Sequence, residues 1–154
     1  MDQIDAKILR SLMKQGRMTN ARLAREVGLS ESATLERVRR LETTGVIRGY
    51  SALVEPGRVG RALEVFMTFS LKNQKVEEVE RFVVAMSEMD EVLSSAQTLG
   101  RFDFIAHVAV RDVASLENFI NEKLIPLGII DRMESMTVLK MLKRGHPPLP
   151  LRMA

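Results

Sequence analysis

An α+β chain with two dissimilar halves is predicted for these 154 residues by three observations. Apolar side chains recur at helical spacing through the first fifty residues. A period-two alternation begins at Leu63, and Pro56, Gly57 and Gly60 punctuate the interval between the two patterns.

The first helix is read over residues 2–14, where Ile4, Ile8, Leu9, Leu12 and Met13 share a face, Asp2 is available as cap, and Gly16 ends the run. Thr19 can cap a second helix, Asn20 to Glu26, which buries Leu23, Ala24 and Val27. Gly28 breaks it and Ser30 caps a third, Glu31 to Thr43, with Thr34, Leu35, Val38 and Leu41 expected to face the core. Gly45 closes that helix, and Val46, Ile47, Tyr50, Leu53 and Val54 suit a strand or extended connector.

Beyond residue 61, Leu63 to Leu71 alternates as a strand, and Val76, Val79, Phe82, Val83 and Met86 mark one helix face. Val92 to Leu99 and Phe102 to Val110 read as strands joined by a tight type II′ turn at Gly100-Arg101. A second helix stripe comprises Val113, Leu116, Phe119, Ile120 and Leu124, and Arg132 to Leu142 supplies the last strand. Strand, helix, strand, strand, helix, strand is the order of a ferredoxin-like βαββαβ sandwich. The predicted organisation is a three-helix domain over 1–50, a linker over 51–61, the sandwich over 62–143 and a Pro-rich tail over 144–154. Both helices should cover one sheet face. The other carries enough apolar side chains to want a partner, and a second copy of the same sheet is the economical one.

Composition narrows the function. The chain has no Cys and two His, His107 and His146, so a disulfide framework and thiolate metal sites are excluded and no cofactor is expected. No apolar run approaches the ~20 residues of a membrane span, and no basic-then-apolar leader opens the chain. The expectation is a cytoplasmic protein. Residues 1–50 hold ten Lys/Arg against six Asp/Glu, whereas the remainder holds thirteen against fourteen. The basic surplus therefore lies in the three-helix segment and suggests a polyanion partner there.

Two helices joined through Gly28 have the shape of a helix-turn-helix, whose second helix enters the DNA major groove. With Thr34, Val38 and Leu41 inward, Ser32, Glu36, Arg39 and Arg40 point out, with Ala33 and Arg37 on one flank and Ser30 at the cap. Arg can bond guanine bidentately, Glu can accept from cytosine and an Ala methyl can meet thymine, while Arg17, Arg22, Arg25 and Arg48 are placed for phosphates. One such module buries only roughly 600–1,000 Å², so two are needed for a specific site. The predicted dimer would supply both.

Leu23-Ala24-Arg25-Glu26-Val27-Gly28-Leu29-Ser30, then Leu35 to Glu42, then Gly45-Val46-Ile47-Arg48-Gly49-Tyr50 resemble the Lrp/AsnC (leucine-responsive, feast/famine) transcription regulators. The resemblance runs from Ile4 to about Lys143. It implies a double-stranded DNA partner, dimerisation through the ferredoxin-like domain, assembly often to octamers, and control by a small-molecule effector, usually an amino acid. It places that effector around a Gly-acidic-aromatic-Asp motif, here Gly100-Arg101-Phe102-Asp103 with Leu99 before it, and Ser135 near the last strand. Arg101 stands where the motif is acidic and would favour a carboxylate. As bare chemistry, Gly100 can equally be a turn residue and Asp103 a turn or interface charge.

Enzyme readings find less support. Asp103 and His107 fall on one face of a predicted strand, but four residues separate their backbones by roughly 13 Å, too far for an acid–base pair. His107 fits a sheet-face residue at an interface and His146 a solvated one; Glu77, Glu78 and Glu80 read as a solvated helix side, and no Lys-Ser/Thr follows Gly57 and Gly60 to make a phosphate loop. Two alternatives stay open: a siroheme-decarboxylase-like enzyme of the same domain plan, and a nucleoid-type architectural DNA binder.

Overall fold

Residues 1–144 are described by the computed structural model. They separate into two compact units, one comprising Met1–Leu53 with Lys143 and Arg144, the other Val54–Leu142. His146 and, beyond Arg144, the Pro-rich tail lie outside the described residues.

The first unit contains α1 (Gln3–Lys14), α2 (Asn20–Val27) and α3 (Glu31–Thr43). Each starts on a side-chain cap. Asp2 and Asp5 exchange backbone and carboxylate bonds as a capping box, Thr19 accepts from Arg22 N–H, and Ser30 accepts from Ala33 N–H. Gly28 takes a left-handed φ of 75°, which lets the chain leave α2 and donate from both Gly28 and Leu29 to the Ala24 carbonyl. Ile8, Leu23, Val27 and Leu41 are buried together, with Ile4, Leu12, Leu29, Val38 and Ile47 packed around them. Leu35, expected inside, is 40% exposed. Stepping 100° per residue carries it past the arc defined by Thr34, Val38 and Leu41. The Val46–Val54 segment forms no strand.

The second unit opens with a short 3₁₀ turn at Pro56–Val59 and continues as β1 (Leu63–Leu71), α4 (Val76–Glu88), β2 (Val92–Gln97), β3 (Phe104–Val110), α5 (Val113–Asn118) and β4 (Ile130–Thr137). The sheet order is β2-β3-β1-β4 with every neighbour antiparallel, the ferredoxin-like arrangement. Val65, Met67 and Phe69 of β1 pair with Val108, Ala106 and Phe104 of β3, and these side chains form one buried cluster with Phe82 and Met86 of α4 and Phe119 and Leu124. Truncating a core Phe such as Phe82, 1% exposed, to Ala costs about 3–5 kcal/mol in comparable cores.

Three boundaries differ from expectation. The second helix stripe is α-helical only to Asn118, after which a π turn, Phe119–Leu124, and a 3₁₀ turn, Ile125–Leu127, carry the chain through Pro126. β4 runs Ile130–Thr137 and not to Leu142: Val138 N–H still reaches the Glu64 carbonyl at 2.9 Å, but β1 begins one residue earlier and offers no further partner. The β2–β3 connection is not a two-residue turn either. Thr98 N–H bonds the Asp103 carbonyl at 2.8 Å and closes a wider loop, Leu99–Phe102.

The sheet face away from the helices carries Phe66, Ile105 and Met136 beside polar Thr68. There His107 stacks on Phe66 with ring centroids 4.6 Å apart, and its Nε2 lies 2.9 Å from Glu64 Oε2.

Candidate functional site

The turn between α2 and α3 sets the direction in which α3 presents its side chains. Besides the caps and Gly28, Asn20 Nδ2 donates to the Glu31 carbonyl at 2.8 Å and ties the start of α2 to the start of α3. The sequence does not mark this tie beyond placing an amide directly after the Thr19 cap. Thr34 and Leu41 are buried, and the Thr34 hydroxyl donates to the Ser30 carbonyl. Ser32, Glu36 and Arg39 are exposed on the opposite side, and Ala33 is half-buried on the flank. Ser30 Oγ and Ser32 Oγ lie 3.2 Å apart at the N-terminal end.

Arg17, Arg22, Arg25 and Arg48 are all exposed. Arg22 makes a surface pair with Glu26 at 3.4 Å, and Arg25 Nε donates to the Ala21 carbonyl at 3.3 Å. These guanidiniums sit at the surface, where an anion can reach them.

Arg37 and Arg40 behave differently. The sequence places both among the DNA contacts, Arg40 outward and Arg37 on the flank, whereas in the structure both guanidiniums turn toward the start of α1. Arg37 Nη1 donates to Asp2 at 2.6 Å and to Asp5 at 2.9 Å, and Arg40 Nη2 donates to both Asp5 oxygens at 3.0 and 2.8 Å. Burial pushes the Asp5 carboxyl up, but the Asp2 backbone N–H and the Arg37 guanidinium outweigh it and hold Asp5 below the usual carboxylate range. Asp2 is lowered to about 2, first by the Asp5 backbone N–H and then by Arg37. Arg37 is correspondingly held more firmly protonated by its bonds to Asp2 and Asp5.

In the second unit an open cleft of about 520 Å³ lies between the start of α4 and the β2–β3 loop. Leu99, Gly100 and Asp103 line it, as do Gln74, Glu80 and Thr98, which the sequence does not mark as ligand contacts. In the sequence Glu80 reads with Glu77 and Glu78 as part of a solvated side. Its place on the cleft follows from how α4 packs on the sheet, which a run of glutamates does not reveal. Val76, Val79 and Phe104 supply apolar wall. Asp103 is not an open carboxylate: Oδ2 accepts Leu71 N–H at 2.8 Å and Oδ1 accepts Gln74 Nε2 at 2.9 Å.

The other expected ligand residues are not brought to this cleft. Arg101 lies over the Phe102 ring, 5.1 Å from its centroid, and pairs with Glu134 at 3.5 Å. Once the loop is wider than a two-residue turn, its tip side chains need not point back toward α4. Ser135 pairs with Met67 across β1, and β1 separates it from β3 and the loop. Neither Arg101, Phe102 nor Ser135 lines the cleft. Asp103 bonds the end of β1 while His107 lies against Phe66 and Glu64, and the two form no acid–base pair.

Comparison with known proteins follows the same division. Residues 1–42 match the AsnC-type helix-turn-helix domain and residues 64–148 the Lrp/AsnC ligand binding domain. The chain is 37% identical over 150 residues to the Bkd operon transcriptional regulator of Pseudomonas aeruginosa, covering 97% of this chain and 98% of that one. It is 33% identical over 146 residues to the leucine-responsive regulatory protein of Escherichia coli, covering 95% and 89%. Among solved structures, a transcriptional regulator of Neisseria meningitidis in complex with L-Met superposes with a TM-score of 0.91 at 32% identity, covering 99% of this chain and 97% of that one. With a helix-turn-helix unit followed by a ferredoxin-like unit, and matches spanning both, the chain belongs to the Lrp/AsnC family of transcriptional regulators.

Proposed function

We propose that α3 reads base edges in the major groove through Ser32, Ala33, Glu36 and Arg39, while Ser30, Arg17, Arg22, Arg25 and Arg48 meet the phosphate backbone. The observation that carries this reading is the disposition of α3: Thr34 and Leu41 anchor one side, leaving Ser32, Glu36 and Arg39 exposed on the other. Phosphate contacts set register and base contacts set sequence, so both groups are required.

Two copies act together. The sheet face bearing Phe66, Ile105 and Met136 is the surface through which a second copy docks, and octamers follow by further association of dimers. The two recognition helices then address half-sites about 34–36 Å apart, or a multiple of that. The cleft beside Gly100 and Asp103 takes a free amino acid whose apolar side chain meets Val76, Val79 and Phe104. Glu80 is the wall's carboxylate for its ammonium. The relative solved with L-Met supports this ligand class. The protein acts by binding rather than catalysis, in the cytoplasm where its DNA is.

Footprinting on the promoter of its own gene, followed by affinity measurement at fixed salt, tests the reading. A protected site bound about 10³-fold or more tighter than a scrambled duplex supports it, and a ratio near one shows an architectural binder. Calorimetric titration with the free amino acids tests the cleft: saturable binding to none of them removes the effector assignment.

A further inference from the structure

We infer that Asp5 is a positioning residue for DNA recognition, its buried carboxylate holding Arg37 and Arg40 as struts that fix the rotation of α3 about its axis. The inference rests on the proposal that α3 reads DNA.

Asp5 is fully buried, and its carboxylate receives the Asp2 backbone N–H together with three guanidinium contacts. A capping box needs only the first of these, and capping residues can sit at the surface. Burying a carboxylate is costly unless it is paired and hydrogen-bonded, so its place inside is explained by the two arginines it engages. Arg37 and Arg40 are three residues apart on one flank of α3: Arg37 lies more than a quarter-turn from Ser32, Glu36 and Arg39, and Arg40 lies beside Glu36 at the edge of that outward face. Gripping that flank from α1 while Thr34 and Leu41 hold the inner side leaves α3 little freedom to roll. A small roll would displace every outward side chain from its base edge. Deprived of the carboxylate, Arg40 loses both of its bonds while Arg37 keeps the one to Asp2, so Arg40 becomes a mobile cation beside the outward face and adds a phosphate contact that carries no sequence information.

The experiment uses the full chain, a duplex selected by the wild type from a random pool, and a random-sequence duplex. Asp5→Asn is expected to lower affinity for the selected duplex at least about tenfold while affinity for random DNA is kept or raised. The log–log salt slope on random DNA should steepen by roughly one as the freed Arg40 engages a phosphate. A purely structural role would weaken both duplexes together and leave the slope unchanged. That result, or an unchanged ratio of the two affinities, overturns the inference. Should Asp5→Asn fail to fold, Arg37→Gln decides. As a strut, its loss lowers discrimination while the sequences recovered in selection keep the same base preferences. Loss of preference at one base pair would make Arg37 a base reader and overturn the inference. A wild-type chain that enriches no sequence at all sinks the DNA-reading proposal itself, which distinguishes the two failures.

Discussion

Asp103 accepts the backbone N–H of Leu71 at 2.8 Å, so the carboxylate that sequence offers to a ligand is spent on tying the β2–β3 loop to the end of β1. Its second oxygen is taken by Gln74, and the Asp103 N–H bonds the Phe69 carbonyl at 2.9 Å. One residue thereby shapes the cleft wall without needing to touch what the cleft holds.

Replacing Asp103 with Ala strands the Leu71 N–H and should destabilise the second unit by roughly 1.5–3 kcal/mol, the range for a hydrogen bond to a charged group. Hydrogen exchange at the Leu71 amide should accelerate at least about tenfold. Asp103→Asn, which keeps an acceptor oxygen, should lose much less. Unchanged exchange in the Ala variant would show that the tie does not hold the loop.

Arg101 leads to the opposite expectation. Its pair with Glu134 joins side chains 72% and 46% exposed, so Arg101→Ala should alter stability by about 0–1 kcal/mol. Amino-acid affinity should stay within about twofold, because the side chain does not line the cleft. A loss beyond about tenfold by calorimetry would return Arg101 to the binding site.

These two residues mark where sequence stops being informative. Caps and glycines act through bonds a few residues long, so Asp2, Thr19, Gly28 and Ser30 announce α1, α2 and α3 directly. Alternation at Leu63–Leu71 likewise gives β1, and the element order gives the sheet. Side-chain destinations over long separations are not written that way. Nothing local to Arg37 and Arg40 shows that a carboxylate more than thirty residues earlier receives them, and nothing near Glu80 shows that it borders a cleft. The length of β4 depends on where β1 begins, and the width of the Leu99–Phe102 loop depends on Asp103 being claimed by β1.

Tyr50 is the single tyrosine in the chain, and its hydroxyl donates to Glu42 at 3.0 Å. Partial burial, followed by the bond to Glu42 and its charge, raises the phenol to about 12. Tyrosinate absorbance should therefore show a midpoint near 12 in the folded protein, and Glu42→Gln should lower it. Because the folded value is raised, this contribution to stability is complete below the ordinary value of 10.0 and disappears as pH climbs through about 12. A folded-state midpoint at 10 would show that the Tyr50 segment is not docked on α3.

Acid should erode both units in one window. Asp112 caps α5, and bonds from the Ser115 backbone and hydroxyl, then Arg111, lower it to about 2, as Asp5 and Arg37 do for Asp2. Folded values below the ordinary 3.8 mean that these contributions are present above that pH and vanish as pH falls toward about 2. Thermal unfolding followed from pH 5 to 2 should lose Tm chiefly below pH 4, and Asp112→Asn should reduce that dependence. A pH-independent Tm across the window would contradict the assignment of these bonds.

The role of the outward face of α3 is tested most directly by the sequences that Arg39→Ala enriches from a random duplex pool, compared with those of the wild type. The expected result is relaxed preference at one base pair in each half-site, a loss of discrimination of about 1–3 kcal/mol and little change on random DNA. Identical base preferences in the variant and the wild type would contradict the assignment of α3 as the reading helix.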